Sequence, residues 1–217
     1  MSRSRRPTPE QLPRGEATKA ALITAARQLF VAKGYFATGT EEIVAKADVG
    51  TRGALYHHFA DKEELFRAVF DQVQADLAAA TTVHEQDDAL EVLTAALQQF
   101  LDASADNADV QKILLIDGPA VLGWERWRSL EAEYGLGVIT TMLDAAVAQK
   151  VIARQPTGPL AHMLLAAVDE AALYIANAPN RRQAHKQARQ SLMRLLGGLR
   201  TSPRQKSPRG SAGSKKR

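Results

Sequence analysis

The sequence contains no cysteine, which excludes disulfide bonds and thiolate metal sites and suits a reducing compartment. It also lacks a glycine-rich phosphate loop, a nucleophile motif and internal repeats, so we predict no cofactor and no enzymatic activity. No run approaches the roughly 20 apolar residues of a membrane span, and no apolar stretch follows the arginine-rich start as it would in a signal peptide. The sequence therefore predicts a cytoplasmic protein that does not associate with a membrane.

The net charge of +4 is unevenly distributed along the chain. Residues 1–15 carry a charge of +3 and residues 200–217 carry +7, which leaves −6 for residues 16–199. Both basic ends are rich in Pro, Ser or Gly, so we expect them to be disordered tails. Such tails either keep the protein soluble or add electrostatic affinity for nucleic acid through counterion release.

The most informative segment runs from Thr38 to Phe59 and reads as two short helices joined by a tight turn, over about residues 39–58. Its apolar side chains are expected to pack on other helices, because helices this short are not stable alone; they are Ile43, Ala47, Val49, Leu55 and Phe59. The second helix then presents Thr51, Arg52, Tyr56 and His57 outward. Hydroxyl, guanidinium and imidazole groups suit phosphate oxygens and base edges, so the pattern favours a DNA-binding helix-turn-helix.

The flanking residues predict two longer helices that would support this motif. Apolar residues from Leu22 to Phe30 recur at helical spacing, so residues 16–33 are predicted to form a helix that Gly34 ends. Thr38 and Glu41 have the spacing of a capping box that starts the next helix. Asp61 and Glu64 indicate a similar start for a fourth helix.

Residues 16–76 resemble the DNA-binding domain of the TetR, or tetracycline-repressor-type, transcriptional regulators. The resemblance is carried by Gly34-Tyr35, Thr38, Ile43, Val49, the run from Arg52 to Phe59, and Lys62-Glu63. It implies that Thr51, Arg52, Gly53 and Ala54 lie nearest the base edges. It further implies phosphate contacts from Tyr56, His57 and Lys62, and from Thr38 and Thr40 at a helix N-terminus. The turn Asp48-Val49-Gly50-Thr51 is one residue longer than the commonest turn of that family.

Residues 77–199 are helical by pattern, so the whole chain is predicted to be all-α. The segment from Asp117 to Gly137 resembles the C-terminal domain of some TetR-type regulators, and Gly118-Pro119 within it is expected to end one helix and open the next. The resemblance implies a pocket for an apolar or amphipathic effector. The candidates for its lining, which could equally be core residues, are Phe100, Trp124, Trp127, Tyr134, Met142, Met163 and Tyr174.

The last two predicted helices, over residues 159–178 and 181–199, carry apolar stripes that could form a homodimer interface or pack within one subunit. The stripes are Leu160, Met163, Leu164, Ala167, Ala171 and Tyr174, and then Leu192, Leu195, Leu196 and Leu199. We favour the dimer, because a helix-turn-helix usually needs two copies on a two-fold site.

The principal hypothesis is a ligand-responsive, dimeric regulator, most simply a repressor that a small molecule releases from a double-stranded DNA operator. One alternative is a regulator without an effector. The other is a small enzyme or metal protein that uses His57, His58, Asp61 and Glu64. Adjacent histidines point about 100° apart on a helix, which disfavours that metal site.

Overall fold

The computed structural model describes residues 14–80 and 88–201, apart from the side chains of Arg14 and Ala80. These ranges contain nine α-helices, one π-helical segment and no strand, which confirms the predicted all-α fold. The helices are α1 Arg14–Lys33, α2 Thr40–Ala47, α3 Arg52–His58, α4 Lys62–Ala80, α5 Ala89–Asp106, α6 Gly118–Leu122, α7 Trp124–Ala148, α8 Thr157–Asn177 and α9 Arg181–Gly197, with the π-helical segment Val110–Asp117 between α5 and α6. The predicted tails lie largely outside the described residues.

Helices α1 to α4 form the helix-turn-helix unit. The apolar faces of all four helices meet in one core; its fully buried members include Leu22, Phe30, Ile43, Leu55, Leu65, Phe66, Val69 and Phe70. Gly34 follows α1 with a φ of 88°, and its N–H donates to the Phe30 carbonyl at 2.7 Å. The predicted glycine termination of α1 is therefore confirmed, because a residue with a side chain rarely adopts this backbone conformation.

The start of α2 differs from the predicted capping box by one residue. Gly39 is the N-cap, and its N–H lies 3.4 Å from the carboxylate of Glu42 rather than near Glu41. Thr38 is only 2% exposed, and its hydroxyl donates to the Gly34 carbonyl at 2.8 Å. The prediction of a Thr38–Glu41 capping box was therefore wrong. The buried Thr38 hydroxyl needs a hydrogen-bond partner, and the Gly34 carbonyl in the preceding turn provides it.

The turn between α2 and α3 contains two residues in left-handed backbone conformations. Asp48 has a φ of 54° and Gly50 a φ of 80°. Thr51 is extended and is the N-cap of α3, although its side chain makes no capping hydrogen bond. At the next helix start, Asp61 accepts a hydrogen bond from the Glu64 N–H at 2.8 Å, which confirms the predicted acidic cap of α4.

Helices α5, α7, α8 and α9 pack together as the C-terminal domain, and α5 buries its leucines at 90, 93, 97 and 101. An element boundary lies at Gly118-Pro119, as predicted, although the backbone stays helical through it. The π-helical segment runs directly into α6, which accepts Pro119 in its first turn because the amide of that position needs no partner. The break comes at Gly123, whose φ is 77°.

The two C-terminal helices divide the predicted apolar stripes between the core and the surface. Leu160, Leu164, Leu192 and Leu196 are buried within the single chain, whereas Met163, Tyr174 and Leu195 are exposed. Helix α8 is long and apolar enough to cross a membrane by length and composition, contrary to expectation, with a mean hydropathy of 1.3. Half of its apolar window is buried against other helices, as in a core helix of a soluble protein.

The C-terminal end of the described chain is bound to this domain. Arg200 pairs with Asp88 at 2.8 Å and with Glu91 at 3.0 Å, next to the start of α5. The Thr201 N–H donates to the Val151 carbonyl at 2.9 Å. These two residues, which the sequence assigned to the basic tail, are therefore part of the folded domain.

Candidate DNA-binding surface and effector pocket

Helix α3 presents most of the predicted DNA-contact residues on one exposed face. Arg52, Gly53, Tyr56 and His57 are exposed, as is Thr51 at the N-cap, while Ala54 is half-buried. Leu55 and the following Phe59 point into the core and hold α3 against the other helices. A helix with one anchored face and one polar face is suited to enter a DNA groove.

A polar cluster joins the start of α2 to α3 on this surface. The Arg52 guanidinium lies 2.6 Å from the Glu41 carboxylate, and another of its nitrogens donates to the Tyr56 hydroxyl at 3.3 Å. The hydrogen bond from Arg52, followed by one with Thr40, lowers the pKa of Tyr56. The sequence analysis did not identify Glu41 as the partner of Arg52, although an acidic residue shortly before α3 could have indicated one. Below, Thr40, Glu41, Arg52 and Tyr56 are called the α2–α3 cluster.

Lys62 and Thr38 are placed apart from the exposed face. The Lys62 ammonium donates to the carbonyls of Tyr35 at 3.0 Å and of Thr38 at 3.1 Å, and lies 4.0 Å from the centre of the Tyr35 ring. Burial lowers the pKa of Lys62. Both residues fasten the loop between α1 and α2 in this structure, and their phosphate contacts stay predictions.

The residues of the alternative metal site are used in other ways. The rings of His57 and His58 contact each other edge-on, with centroids 5.1 Å apart. Asp61 and Glu64 accept backbone N–H groups at the start of α4. Over residues 14–80 and 88–201, no group of three His, Asp or Glu side chains is placed to hold a metal ion.

Partly buried polar contacts connect the helix-turn-helix unit to the C-terminal domain. Asp117, at the end of the π-helical segment, accepts the Tyr35 N–H at 2.9 Å and pairs with Lys112 at 3.1 Å. Arg27 on α1 pairs with Asp76 on α4 at 2.6 Å and donates to Asp109 at 2.8 Å. Because charged hydrogen bonds are directional, these contacts fix how α1 and α4 sit on the C-terminal domain.

The C-terminal domain contains a cavity of about 330 Å³ bounded by α4, α5, α7 and α8. Its walls are largely apolar and include Leu77, Leu93, Leu97, Phe100, Ile139 and Leu165. This volume is in the range that small-molecule sites occupy. Two of the predicted lining residues, Phe100 and Tyr134, do line the cavity.

The other five predicted lining residues do not line this cavity. Trp127 is fully buried beside Gly118, and its indole N–H donates to the Leu114 carbonyl at 2.9 Å. Trp124 is 60% exposed and packs on the Trp127 ring, and Met142 packs against the core. The remaining two, Met163 and Tyr174, are exposed on α8. Helical spacing identified apolar faces, but it does not distinguish a cavity wall from a filled core or an outer surface.

One wall of the cavity carries acidic groups that the sequence analysis did not single out. Glu131 on α7 and Asp169 on α8 are each only 4% exposed. Burial, and then the neighbouring Asp169, raises the pKa of Glu131 to about 8. Burial raises the pKa of Asp169 to about 6, although its ion pair with Arg128 acts in the opposite direction. Gln74 Nε2 on α4 donates to Glu131 at 2.8 Å.

The chain matches known proteins over both regions. Residues 22–69 match the model of the bacterial regulatory proteins of the tetR family, and residues 90–199 match that of the tetracyclin repressor-like C-terminal domain. The TetC protein of transposon Tn10 from Escherichia coli is 29% identical over 151 residues, which cover 69% of this chain and 75% of TetC.

Two solved structures extend the comparison. A TetR-family transcriptional regulator from Pectobacterium atrosepticum is 32% identical, with a TM-score of 0.77 and coverage of 89% of this chain and all of that one. RolR, solved with its ligand resorcinol, is 21% identical, with a TM-score of 0.62 over 84% of this chain and 89% of RolR. At this identity the comparison shows a similar fold. The chain therefore belongs to the TetR family of DNA-binding transcriptional regulators, which are not enzymes.

Proposed function

We propose that this protein is a dimeric, cytoplasmic repressor whose operator binding is weakened when a small molecule enters the cavity between α4, α5, α7 and α8. The observation that carries the proposal is the position of α4. Its first part packs in the helix-turn-helix core through Phe66 and Phe70, and its last part lines the cavity through Gln74 and Leu77. One continuous helix thus reaches both sites, so a ligand that displaces α4 also displaces the helix-turn-helix core on which α3 packs.

The DNA surface would be the exposed face of α3 together with the α2–α3 cluster. Arg52 is the cation on α3 that can reach a base edge, and Tyr56 and His57 flank it toward the phosphate backbone. Glu41 holds the guanidinium in the free protein, so operator binding would exchange that ion pair for contacts with DNA. A guanine is the base that a guanidinium binds with two hydrogen bonds.

The dimer would form through the outward faces of α8 and α9. These faces expose large apolar side chains, namely Met163 at 62% and Tyr174 at 54% on α8, and Met193 at 38% and Leu195 at 48% on α9. Such side chains favour burial against a second copy. The proposed dimer surface therefore uses only the exposed part of the predicted stripes, Met163, Tyr174 and Leu195, because the leucines at 160, 164, 192 and 196 are buried within one chain.

A ligand-responsive role also has a parallel among the similar structures, since RolR was solved with resorcinol bound. Resorcinol is an aromatic molecule with two hydroxyl groups. An apolar cavity with polar groups at one wall suits molecules of that general kind, with an apolar body and a hydrogen-bonding head.

Selection of bound fragments from the source genome, followed by footprinting, tests the DNA-binding part of the proposal. We expect a protected site with two related half-sites one or more helical turns apart. A single asymmetric site bound by a monomer would contradict it.

A cavity-filling variant tests the ligand-responsive part. Ala96→Phe should abolish release by any compound that dissociates the wild-type protein from its operator, while operator affinity without the compound stays near wild type, because Ala96 lines the cavity. Ala79→Phe, on the exposed side of α4, is the matched control and should keep the response. A normal response in Ala96→Phe would show that the effector binds elsewhere.

A further inference from the structure

We infer that the cavity recognises an organic cation, an amphipathic molecule with an aromatic or alkyl body and a protonated amine head that binds Glu131. This inference rests on the proposed ligand-responsive function and names the chemical class of its effector.

The charged groups at the polar wall of the cavity are not balanced. Two carboxyl groups, those of Glu131 and Asp169, face one guanidinium, that of Arg128. The guanidinium pairs with Asp169, so Glu131 has no cationic partner among the described residues. The ionised form of a buried carboxyl group is costly without a cation, and a ligand that brings a cation stabilises that form.

Glu131 has free hydrogen-bonding capacity toward the cavity. One carboxyl oxygen accepts from Gln74 Nε2 at 2.8 Å. The other has no hydrogen-bond donor among the described side chains and backbone groups, and the residue lines the cavity although it is 96% shielded from solvent by the protein. An ammonium group, which carries only donors, fits this acceptor.

The remaining walls of the cavity carry no charged side chain among the described residues. Helix α5 contributes only apolar groups to the cavity, among them Leu93, Ala96, Leu97 and Phe100. The groups that act electrostatically on Glu131 are Asp169 on α8 and Arg128 on its own helix, while α4 contributes the neutral amide of Gln74. A ligand with a second charge on its body would therefore find no partner there, which limits the class to molecules with a single charged head.

Binding of a cation should be coupled to loss of a proton. In the free protein burial keeps Glu131 protonated at neutral pH, since its pKa is about 8. An ammonium at hydrogen-bond distance favours the ionised carboxylate, so complex formation releases a proton to the buffer. Amine affinity should consequently rise as the pH increases from 6.5 to 8.

The experiment uses three matched series of probes, the ω-phenylalkylamines from benzylamine to 6-phenylhexylamine and the alcohols and carboxylates of the same lengths. Calorimetric titrations of the full chain at pH 7, in two buffers with different ionisation enthalpies, give affinity and proton release together. The best amine should bind about 10-fold to 100-fold more tightly than its alcohol, because a charged hydrogen bond is stronger than a neutral one. Its binding should release up to one proton.

Two variants test whether Glu131 causes the amine preference and the proton release. Glu131→Gln keeps the size of the side chain and should remove both the amine preference and the proton release while alcohol affinity stays within about twofold, because glutamine keeps hydrogen-bonding groups but cannot ionise. Glu133→Gln, two residues away and exposed, should behave as wild type. The proton release of the wild-type protein is an independent readout if Glu131→Gln does not fold.

The outcomes separate this inference from the proposed function. Alcohols or carboxylates that bind as tightly as the amines, or amines that bind without proton release, would overturn the cationic class, and the ligand-responsive proposal would stand if those probes still dissociated the operator. Amines that bind through Glu131 and leave operator affinity unchanged would instead support the cation site and overturn the ligand-responsive function. Absence of binding by every amine would overturn the cation site.

Discussion

Replacement of Glu131 by Gln should stabilise the protein, and the gain should grow with pH. Burial raises the pKa of this carboxyl from 4.5 to about 8, so between these values the unfolded chain loses its proton while the folded chain keeps it. Over that range the free energy of unfolding falls by ~1.4 kcal/mol for each pH unit. The stability that protonated Glu131 gives to the wild-type protein is fully present below pH 4.5 and is lost as the pH rises through 8.

The glutamine side chain retains the size of a protonated glutamic acid but does not ionise. At pH 7 the variant should therefore exceed the wild-type free energy of unfolding by up to ~3 kcal/mol, and the difference should be ~1.4 kcal/mol smaller at pH 6. Urea unfolding at pH 6, 7 and 8, at one fixed protein concentration because of the proposed dimer, measures this difference. Glu133→Gln is the exposed control. A difference in the free energy of unfolding between wild type and Glu131→Gln that stays constant from pH 6 to pH 8 would refute this reasoning.

Three further predictions concern the DNA surface, the dimer and the domain junction. Glu41→Gln should strengthen operator binding up to about fivefold by freeing Arg52 from its exposed ion pair; weaker binding would contradict this. Leu195→Asp should convert the dimer to folded monomers in analytical ultracentrifugation, whereas Leu164→Asp, in the core, should unfold the chain at a cost above ~4 kcal/mol; the reverse pattern would exclude the proposed interface. Asp117→Ala should lower the free energy of unfolding by about 1 to 3 kcal/mol, because the Tyr35 N–H loses its acceptor; unchanged urea unfolding would contradict it.

The helix-turn-helix could be predicted from the sequence because its signals are local. Gly34 ends α1, Asp61 caps α4, and Leu55 and Phe59 point inward as expected from helical spacing. The start of α2 was displaced by one residue because Thr38 found a partner in the preceding turn. A carbonyl four residues earlier in the chain competed with the capping role, and only the folded backbone decides that competition.

The cavity could be predicted only in part, because its walls come from four helices that are distant in the sequence. Phe100 and Tyr134 line it, whereas Trp127 fills the junction beside Gly118. The acidic wall was missed because Glu131 and Asp169 look like surface residues of amphipathic helices until both are buried. Charged residues at helical spacing are usually solvated, so the sequence carries little signal of such a wall.

The dimer stripes show the same limit. Leu164 and Tyr174 belong to one apolar stripe in the sequence, yet Leu164 is buried within the chain and Tyr174 is exposed. A broad apolar face on α8 serves both its own core and the proposed partner. Periodicity alone does not divide such a face between the two.

The central claim is that the exposed face of α3 reads operator DNA, and the measurement that tests it most directly is the affinity of Arg52→Ala for the selected operator and for its single-base variants. We predict a loss of about 1 to 3 kcal/mol and relaxed preference at one position in each half-site, because a guanidinium that binds guanine discriminates that base. Arg154→Ala, in the exposed loop before α8, should bind as wild type. Wild-type affinity and unchanged base preference in Arg52→Ala would contradict the claim.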